Sequence, residues 1–299
     1  MSVAPVSISV VVPVFNQEAI LPATLPALLA LRGAHDIVFV DDGSTDGSAA
    51  LLAESVRDRE NVRVVTHPVN RGRSAARNTG TASSDREVIL FLDADIEPHP
   101  AALEAHRLRY SDSATVGVLS KDQPRGLTEE NPFHRYVRQN AGPGNILASE
   151  PLHFKYFIIG YTSIRRRALE EVGGFDEQIG YGEDLDLAFR LWKRWPQGLF
   201  REPGAVVHQH GLADLDARVS KLHAFGRNLP ALLTKHPDLA AAADLAVVVS
   251  PAMKPFLSRP LSTGVRRALH RSPKSVQLFL IRHLLASAVA IGYHEALST

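Results

Sequence analysis

Several short polar clusters in this sequence carry side chains that could hold a cation or move a proton. Asp93-Ala94-Asp95 ends the apolar run Val88-Ile89-Leu90-Phe91-Leu92. Two acids two residues apart can address one ion, and hard divalent ions take carboxylate oxygen while keeping positions for phosphate oxygens. A bare D-x-D also occurs by chance in many loops. Asp41-Asp42-Gly43-Ser44 and Asn70-Arg71-Gly72 follow two other apolar runs. Each alone could be capping and turn chemistry; several on one edge are harder to dismiss. Glu183-Asp184 offers a carboxylate able to accept a hydroxyl proton. The same pair would also favour a helix N-terminus, by a few tenths to about 1 kcal/mol. In His208-Gln209-His210, strand alternation would point both imidazoles one way; a pair of exposed histidines is the plain alternative.

The elements that must position these groups follow from periodicity. Short β-branched or apolar runs predict strands at 8–14, 36–40, 62–66 and 87–92. Helical spacing predicts helices at 18–31, 46–57 and 73–82, the last entered through Gly72. Alternating strands and helices predict a mostly parallel sheet covered on both faces, with ligands beyond the carboxyl ends of its strands. Further on, the spacing predicts a helix at 103–110, strands at 114–119 and 157–164, and helices at 166–172 and 184–192. Glu97-Pro98 is expected to be a turn, and 121–151 mainly loops with one short helix. Trp192 and Trp195 read as packing residues. From about Leu212 onward the chain reads as helical, with a loop near 250–263.

Bulk properties narrow the chemistry. Apolar residues make up 45% and charged residues 22%, with a formal net charge of +1. That balance is of a globular protein and gives no global field toward nucleic acid. There is no cysteine, which excludes disulfides and thiolate sites. A metal would be held by oxygen and imidazole, which suits Mg²⁺ or Mn²⁺. No basic leader opens the chain and no run reaches the ~20 apolar residues that span a bilayer, so a cytoplasmic location is the default expectation, with the inner face of the membrane as its variant.

The ordered set Val11-Val12-Pro13-Val14-Phe15-Asn16, Val40-Asp41-Asp42-Gly43-Ser44-Thr45-Asp46, Asn70-Arg71-Gly72 with Ala75-Ala76-Arg77-Asn78, and Leu92-Asp93-Ala94-Asp95 resembles the family 2 glycosyltransferases of GT-A fold. Gly173-Gly174-Phe175-Asp176 and Gly182-Glu183-Asp184-Leu185-Asp186 extend the resemblance, which covers about residues 8–211. It implies an α/β catalytic domain at 1–211 (nucleotide-binding half 1–98, acceptor half 99–211) and a helical C-terminal extension at 212–299. It further implies that Pro13, Phe15 and Glu18 line the nucleotide pocket. Asp42 or its neighbour Asp41 would bond the base, and Arg77 with Arg71 would face the ribose and diphosphate. Asp93, beside Ala94, would approach the ribose or sugar, and Asp95 would bind the metal. Asp184 of the Glu183-Asp184 pair would be the general base of an inverting transfer. His208, with His210 second, would be a further metal ligand. The donor would be a nucleotide-diphosphate sugar, with UDP favoured, and the acceptor a glycan, a lipid-linked or other hydroxyl compound.

Three other readings fit less well. A sugar nucleotidylyltransferase needs a Gly-rich basic loop that Pro13-Val14-Phe15-Asn16-Gln17 does not offer. A dinucleotide-dependent oxidoreductase needs G-x-G-x-x-G after the first strand. A non-catalytic nucleotide-sugar or glycan-binding module would not need Glu183-Asp184. Residues 251–299 hold seven Lys and Arg against Glu295 alone, a net +6. This stretch predicts either a helix lying on an anionic membrane or, equally, a homodimer contact or a helix packed on the catalytic domain.

Overall fold

The computed structural model describes residues 6–57, 59–140, 149–211, 214–253 and 255–298. The chain divides into two compact units, Met1–Arg125 with Gly142–Gly211, and Gly126–Ala141 with Leu212–Thr299. Segment 126–141, expected in the catalytic half, therefore belongs with the C-terminal unit.

The first unit is built on one eight-stranded sheet of order β3-β2-β1-β4-β7-β6-β8-β5. Its strands are β1 (Ile8–Val14), β2 (Asp36–Asp41), β3 (Val62–Thr66), β4 (Val88–Leu92), β5 (Ile96–Pro98), β6 (Gly117–Asp122), β7 (Tyr161–Arg165) and β8 (Leu199–Gln209). The β3-β2-β1-β4 half is parallel throughout. β7 runs antiparallel to β4 and β6, β6 and β8 are parallel, and β5 is antiparallel to β8. Every residue of β1, β2 and β4 is buried, as a sheet covered on both faces requires. On one face Val10, Val12, Phe39, Leu90 and Leu92 join Leu21, Leu25 and Leu28 of α1 (Leu21–Leu29) and Leu103 of α4 (Ala102–Arg109) in a core. On the other, α3 (Arg73–Ala82) lies so close that a Cβ on Gly80 would meet Val11 at 2.3 Å. Strand alternation thus assigns Val10 and Val12 to one helix layer and Val11 to the other.

The first four strands and α3 form where periodicity placed them, and α2 covers Ser48–Val56. Three local expectations change. Residues 157–160 do not extend β7: pairing begins at Tyr161 opposite Leu92, after a 3₁₀ turn at Phe154–Tyr156. The expected strand at 114–119 shifts to 117–122. Glu97-Pro98 is strand, not turn: Ile96 N–H closes a tight turn on the Asp93 carbonyl at 2.9 Å, and Ile96, Glu97 and Pro98 pair with β8. Pro98 lacks an N–H and is tolerated because β5 is the sheet's edge. Helices α6 (Arg166–Val172) and α7 (Glu183–Arg194) follow, α6 closing on left-handed Gly173.

The second unit contains α5 (Pro132–Asn140), α8 (Leu215–Lys235), α9 (Leu239–Ala242), α10 (Ala246–Val249), α11 (Arg259–Leu269) and α12 (Lys274–Ala296). The expected loop at 250–263 is partly α11, and the expected loop residues 141–148 lie outside the described residues. α8 and α12 meet backbone to backbone: a Cβ on Gly226 would lie 2.2 Å from the Val289 carbonyl, and one on Gly292 2.2 Å from the His223 carbonyl. Phe133 of α5, Leu269 of α11, and Ile281 and Leu284 of α12 form its small core. By length and composition α12 is apolar enough to cross a membrane, which corrects the expectation that no run is long enough to span one.

Candidate active site

The carboxyl ends of β1 and β2 are stitched together. Asn16, at a left-handed φ of 51°, donates its N–H to Ser44 Oγ (3.0 Å), and its Oδ1 accepts Thr45 N–H (2.8 Å). Glu18 Oε2 accepts the Gly47 N–H at 2.9 Å. Glu18 is exposed and takes part in closing this loop through that one oxygen. Pro13 is buried within β1 opposite Val40, whereas Phe15, 41% exposed, leaves a ring at the sheet edge.

The two acids at the end of β2 have different jobs. Asp42 accepts the backbone N–H groups of Arg71 (2.9 Å) and Gly72 (2.8 Å), and His67 Nδ1 lies 2.6 Å from the same carboxylate. It holds the loop that enters α3, and Asp41 beside it is equally buried. Asp41 accepts the Ser44 N–H at 3.1 Å through one oxygen. Arg71 pairs at 3.0 Å with Glu177, both half-exposed, a pair of little strength that a ligand can displace.

Arg77 is where the sequence reading changes most. Expected to face ribose and diphosphate, it is fully buried on α3. Its Nη2 donates to Asp93 Oδ1 (3.0 Å) and its Nη1 to Asp184 Oδ1 (2.9 Å), with Glu183 Oε1 at 3.5 Å. Burial opposes its charge, but Asp184, Asp93 and Glu183 more than offset this and hold it firmly protonated. A buried charge survives only when paired in this way. Phe175, edge-on to Phe91 at 5.3 Å, lies under the guanidinium. The end of β4 and the start of α7 are thereby joined through one cation.

Asp93 and Asp184 keep 32% and 31% of their side chains exposed, while Glu183 keeps 5%. Asp184 Oδ2 also accepts the Ile159 N–H at 3.2 Å. Asp93 N–H bonds the Gly160 carbonyl at 2.8 Å, and a Cβ on Gly160 would sit 2.5 Å from Asp93 Oδ2. Glycine at 160 is thus what gives the first acid its room. Burial, and then the neighbouring Asp184 charge, push the Glu183 carboxyl up, only partly opposed by Arg73 and Arg77. Glu183 is a buried wall of the site; Asp184 is its reachable carboxylate.

Ala94 is buried, and its carbonyl accepts Thr24 Oγ1 at 2.7 Å, so it shapes the turn and does not face outward. Asp95 Oδ2 accepts the Gln209 side chain (3.1 Å), and its carbonyl accepts His210 N–H (2.8 Å). The imidazole of His210 is tied to Glu97 at 2.5 Å, which also pairs with Arg125. His208 donates Nδ1–H to the Gln123 carbonyl at 2.9 Å, which leaves Nε2 with the lone pair a metal takes. Each imidazole thus has one ring nitrogen engaged, His208 by a carbonyl and His210 by a carboxylate. Asp122, at the end of β6, lies in the same electrostatic neighbourhood. One of its oxygens is buried without a partner, and burial, then the Asp95 charge, push its carboxyl up to about 6. Among the described residues no three acids and imidazoles form a ready metal cage. The donor set fits an ion that takes one or two carboxylates and completes its shell with substrate phosphates and water.

Residues 9–173 match the family described as Glycosyl transferase family 2, more than half of the chain. The chain belongs to that family. Among curated relatives of this family 2 chain, the pre-mycofactocin glycosyltransferase of Mycobacterium tuberculosis is 29% identical over 87% of the chain and 54% of the relative. The chain thus spans about half the length of that relative. Glycosyltransferase AglE of Haloferax volcanii is 30% identical, over 60% of the chain and 59% of the relative. An undecaprenyl-phosphate 4-deoxy-4-formamido-L-arabinose transferase of Pseudomonas aeruginosa is 42% identical over 31% of the chain and 29% of the relative. The fold is that of GT-A glycosyltransferases. A mannosyltransferase of Pyrobaculum calidifontis, solved with GDP-Man and Mn²⁺, superposes with TM-score 0.66 at 19% identity, over 98% of this chain and 90% of that one. S. aureus TarS 1-349 with UDP-GlcNAc gives 0.61 at 15%, over 98% and 92%.

Sequence reasoning did not single out Ile159, Gly160, His67, Asp122 or Arg73. Asp122 closes β6 three residues after Leu119, a weaker signal than Asp93 directly after the apolar run of β4. The others act through backbone groups or partners distant in sequence, and no local pattern marks them.

Proposed function

We propose that the chain transfers a sugar from a nucleotide-diphosphate sugar to an acceptor hydroxyl, with inversion, using Asp184 as general base. The observation that carries this reading is the Arg77 guanidinium held between Asp93 and Asp184. It fixes a donor-side acid and a reachable carboxylate to one rigid centre, the spacing that a single displacement needs. Asp184 accepts the acceptor proton as that oxygen bonds the anomeric carbon. The bond from this carbon to the diphosphate oxygen breaks, and its electron pair leaves with the nucleotide diphosphate. Asp93 orients the sugar or ribose, and Asp41 accepts a hydrogen bond from the base. That last role favours the imide N–H of uracil, which thymine shares. Asp95, with His208, would hold a divalent ion, which supplies Lewis-acid stabilisation of the leaving diphosphate. The GDP-Man, UDP-GlcNAc and Mn²⁺ bound by the two structural neighbours support a donor of this class and a metal. The undecaprenyl-phosphate relative supports a lipid-linked acceptor. The basic 251–299 stretch and α12 would suit contact with a membrane surface.

A thermal-shift series with UDP, dTDP and GDP, each with and without Mn²⁺, tests the donor site. Ligand at about 100 times its Kd stabilises by about 2.7 kcal/mol. UDP with Mn²⁺ is expected to give the largest shift, and no response to any of the three would defeat the reading. Asp184→Asn should retain nucleotide binding and lose turnover by about 10²-fold or more; surviving turnover would remove Asp184 as base.

A further inference from the structure

We propose that Arg73 and Tyr181 form an acceptor subsite that takes an anionic group, a phosphomonoester or carboxylate, carried beside the reacting oxygen of the acceptor. The inference rests on the transferase reading and on Asp184 as its base. Arg73 opens α3, one turn before Arg77. Its Nε lies 3.4 Å from Glu183 Oε1, and its guanidinium carbon stands 5.8 Å from the centre of the Tyr181 ring. Both side chains are open, at 49% and 38% exposure. Among the described residues Arg73 makes no further ion pair or hydrogen bond, so its two terminal nitrogens are available.

The other arginines of this region are engaged. Both terminal nitrogens of buried Arg77 are held by carboxylates, and Arg71 has a weak, half-exposed pair with Glu177. Arg73 is anchored to the residue next to Asp184 and makes no contact with Asp93. That puts its fork on the side where α7 begins. Left-handed Gly182, at φ 97°, lets the chain turn between Tyr181 and Glu183. An aromatic face under the guanidinium holds the fork in place, and a planar guanidinium binds phosphate or carboxylate through two parallel hydrogen bonds. α3 starts at Gly72 with no side-chain cap, so its first-turn N–H groups add to the same positive potential. Ile158 is 43% exposed and precedes the residue whose N–H holds Asp184. An exposed apolar side chain one residue from an Asp184 contact would suit the chain or ring of an amphipathic acceptor. A mere counter-ion for buried Glu183 would need neither the exposed ring nor the free nitrogens.

Binding of four probes to the full chain, without nucleotide, tests this: farnesyl phosphate, farnesol, glucose 6-phosphate and glucose. At least one phosphate is expected to bind tenfold or more tightly than its neutral counterpart. Preference for farnesyl phosphate assigns a lipid source, and preference for glucose 6-phosphate a phosphorylated glycan. Arg73→Gln should abolish that preference and Arg73→Lys, which keeps charge beside Glu183, should lose part of it; both should leave UDP affinity unchanged. Should Arg73→Gln fail to fold, Arg73→Lys and Tyr181→Leu carry the same comparison. The inference is overturned if neither phosphate outbinds its neutral counterpart, or if the variants retain the preference. It is also overturned if they weaken UDP by the same factor, which would place Arg73 in the donor site. Failure of wild-type protein to bind UDP would instead count against the transferase reading itself.

Discussion

At the scale of single residues, the site is organised around cations and acids whose partners and burial differ more than their chemistry. Asp41 and Asp42 are adjacent, yet Asp42 is engaged by two backbone N–H groups and His67. Glu183 and Asp184 are adjacent, yet Asp184 alone is reachable. Arg77→Met would leave buried Glu183 and the two half-open acids without their shared counter-charge. A loss of about 3–5 kcal/mol is expected, measured by chemical denaturation. Gly160→Ala adds a methyl 2.5 Å from Asp93 Oδ2, and a shift of the acid near 1 Å is expected to cost about 10²-fold in kcat/KM. The displaced acid also strains its pair with buried Arg77, so some loss of thermal midpoint is expected alongside; unchanged kcat/KM would show that Asp93 is not needed in its present place.

At the scale of elements, strand ends deliver the chemistry and helices hold the strands apart from water. A second polar network lies inside the first unit. His106 of α4 is fully buried, with Ser120 Oγ of β6 at 2.9 Å and Ser163 Oγ of β7 at 2.8 Å, and Tyr110 Oη bonds the same Ser163 at 3.0 Å. Burial pushes His106 down to about 3 from an ordinary 6.5. Between those values the unfolded chain binds a proton that the folded one refuses, so stability rises with pH across that window and falls as acid is added. His106→Gln should therefore flatten the dependence of the thermal midpoint on pH between 4 and 7. An unchanged slope would mean that His106 does not remain neutral in the fold.

At the scale of the whole molecule, every residue assigned to the site lies in the unit of Met1–Arg125 and Gly142–Gly211, and the helical unit has its own core. Its α8–α12 contact depends on glycine, since a side chain at 292 would collide with the His223 carbonyl. Gly292→Val is expected to lower the midpoint of the helical unit, as overpacking does by about 1–3 kcal/mol, while UDP binding by the first unit persists. Loss of nucleotide binding in that variant would show that the units do not act separately.

The sequence by itself determined the β1-to-β4 half of the sheet, α3, and the family. Buried parallel strands are continuous apolar runs, and the motifs at their ends are contiguous, so both can be read locally. It also marked Asp93, Asp95 and Asp184. It did not determine what each charged group does. Arg77 could be a ligand contact or a buried tie, and only its encounter with Asp93, 16 positions away, and Asp184, 107 away, decides for the tie. The partners of Asp42, Glu18 and His210, and the openness of Arg73, likewise come from distant segments. Whether a charge faces solvent or another charge is a property of packing, and packing is made of long-range contacts that no local pattern records.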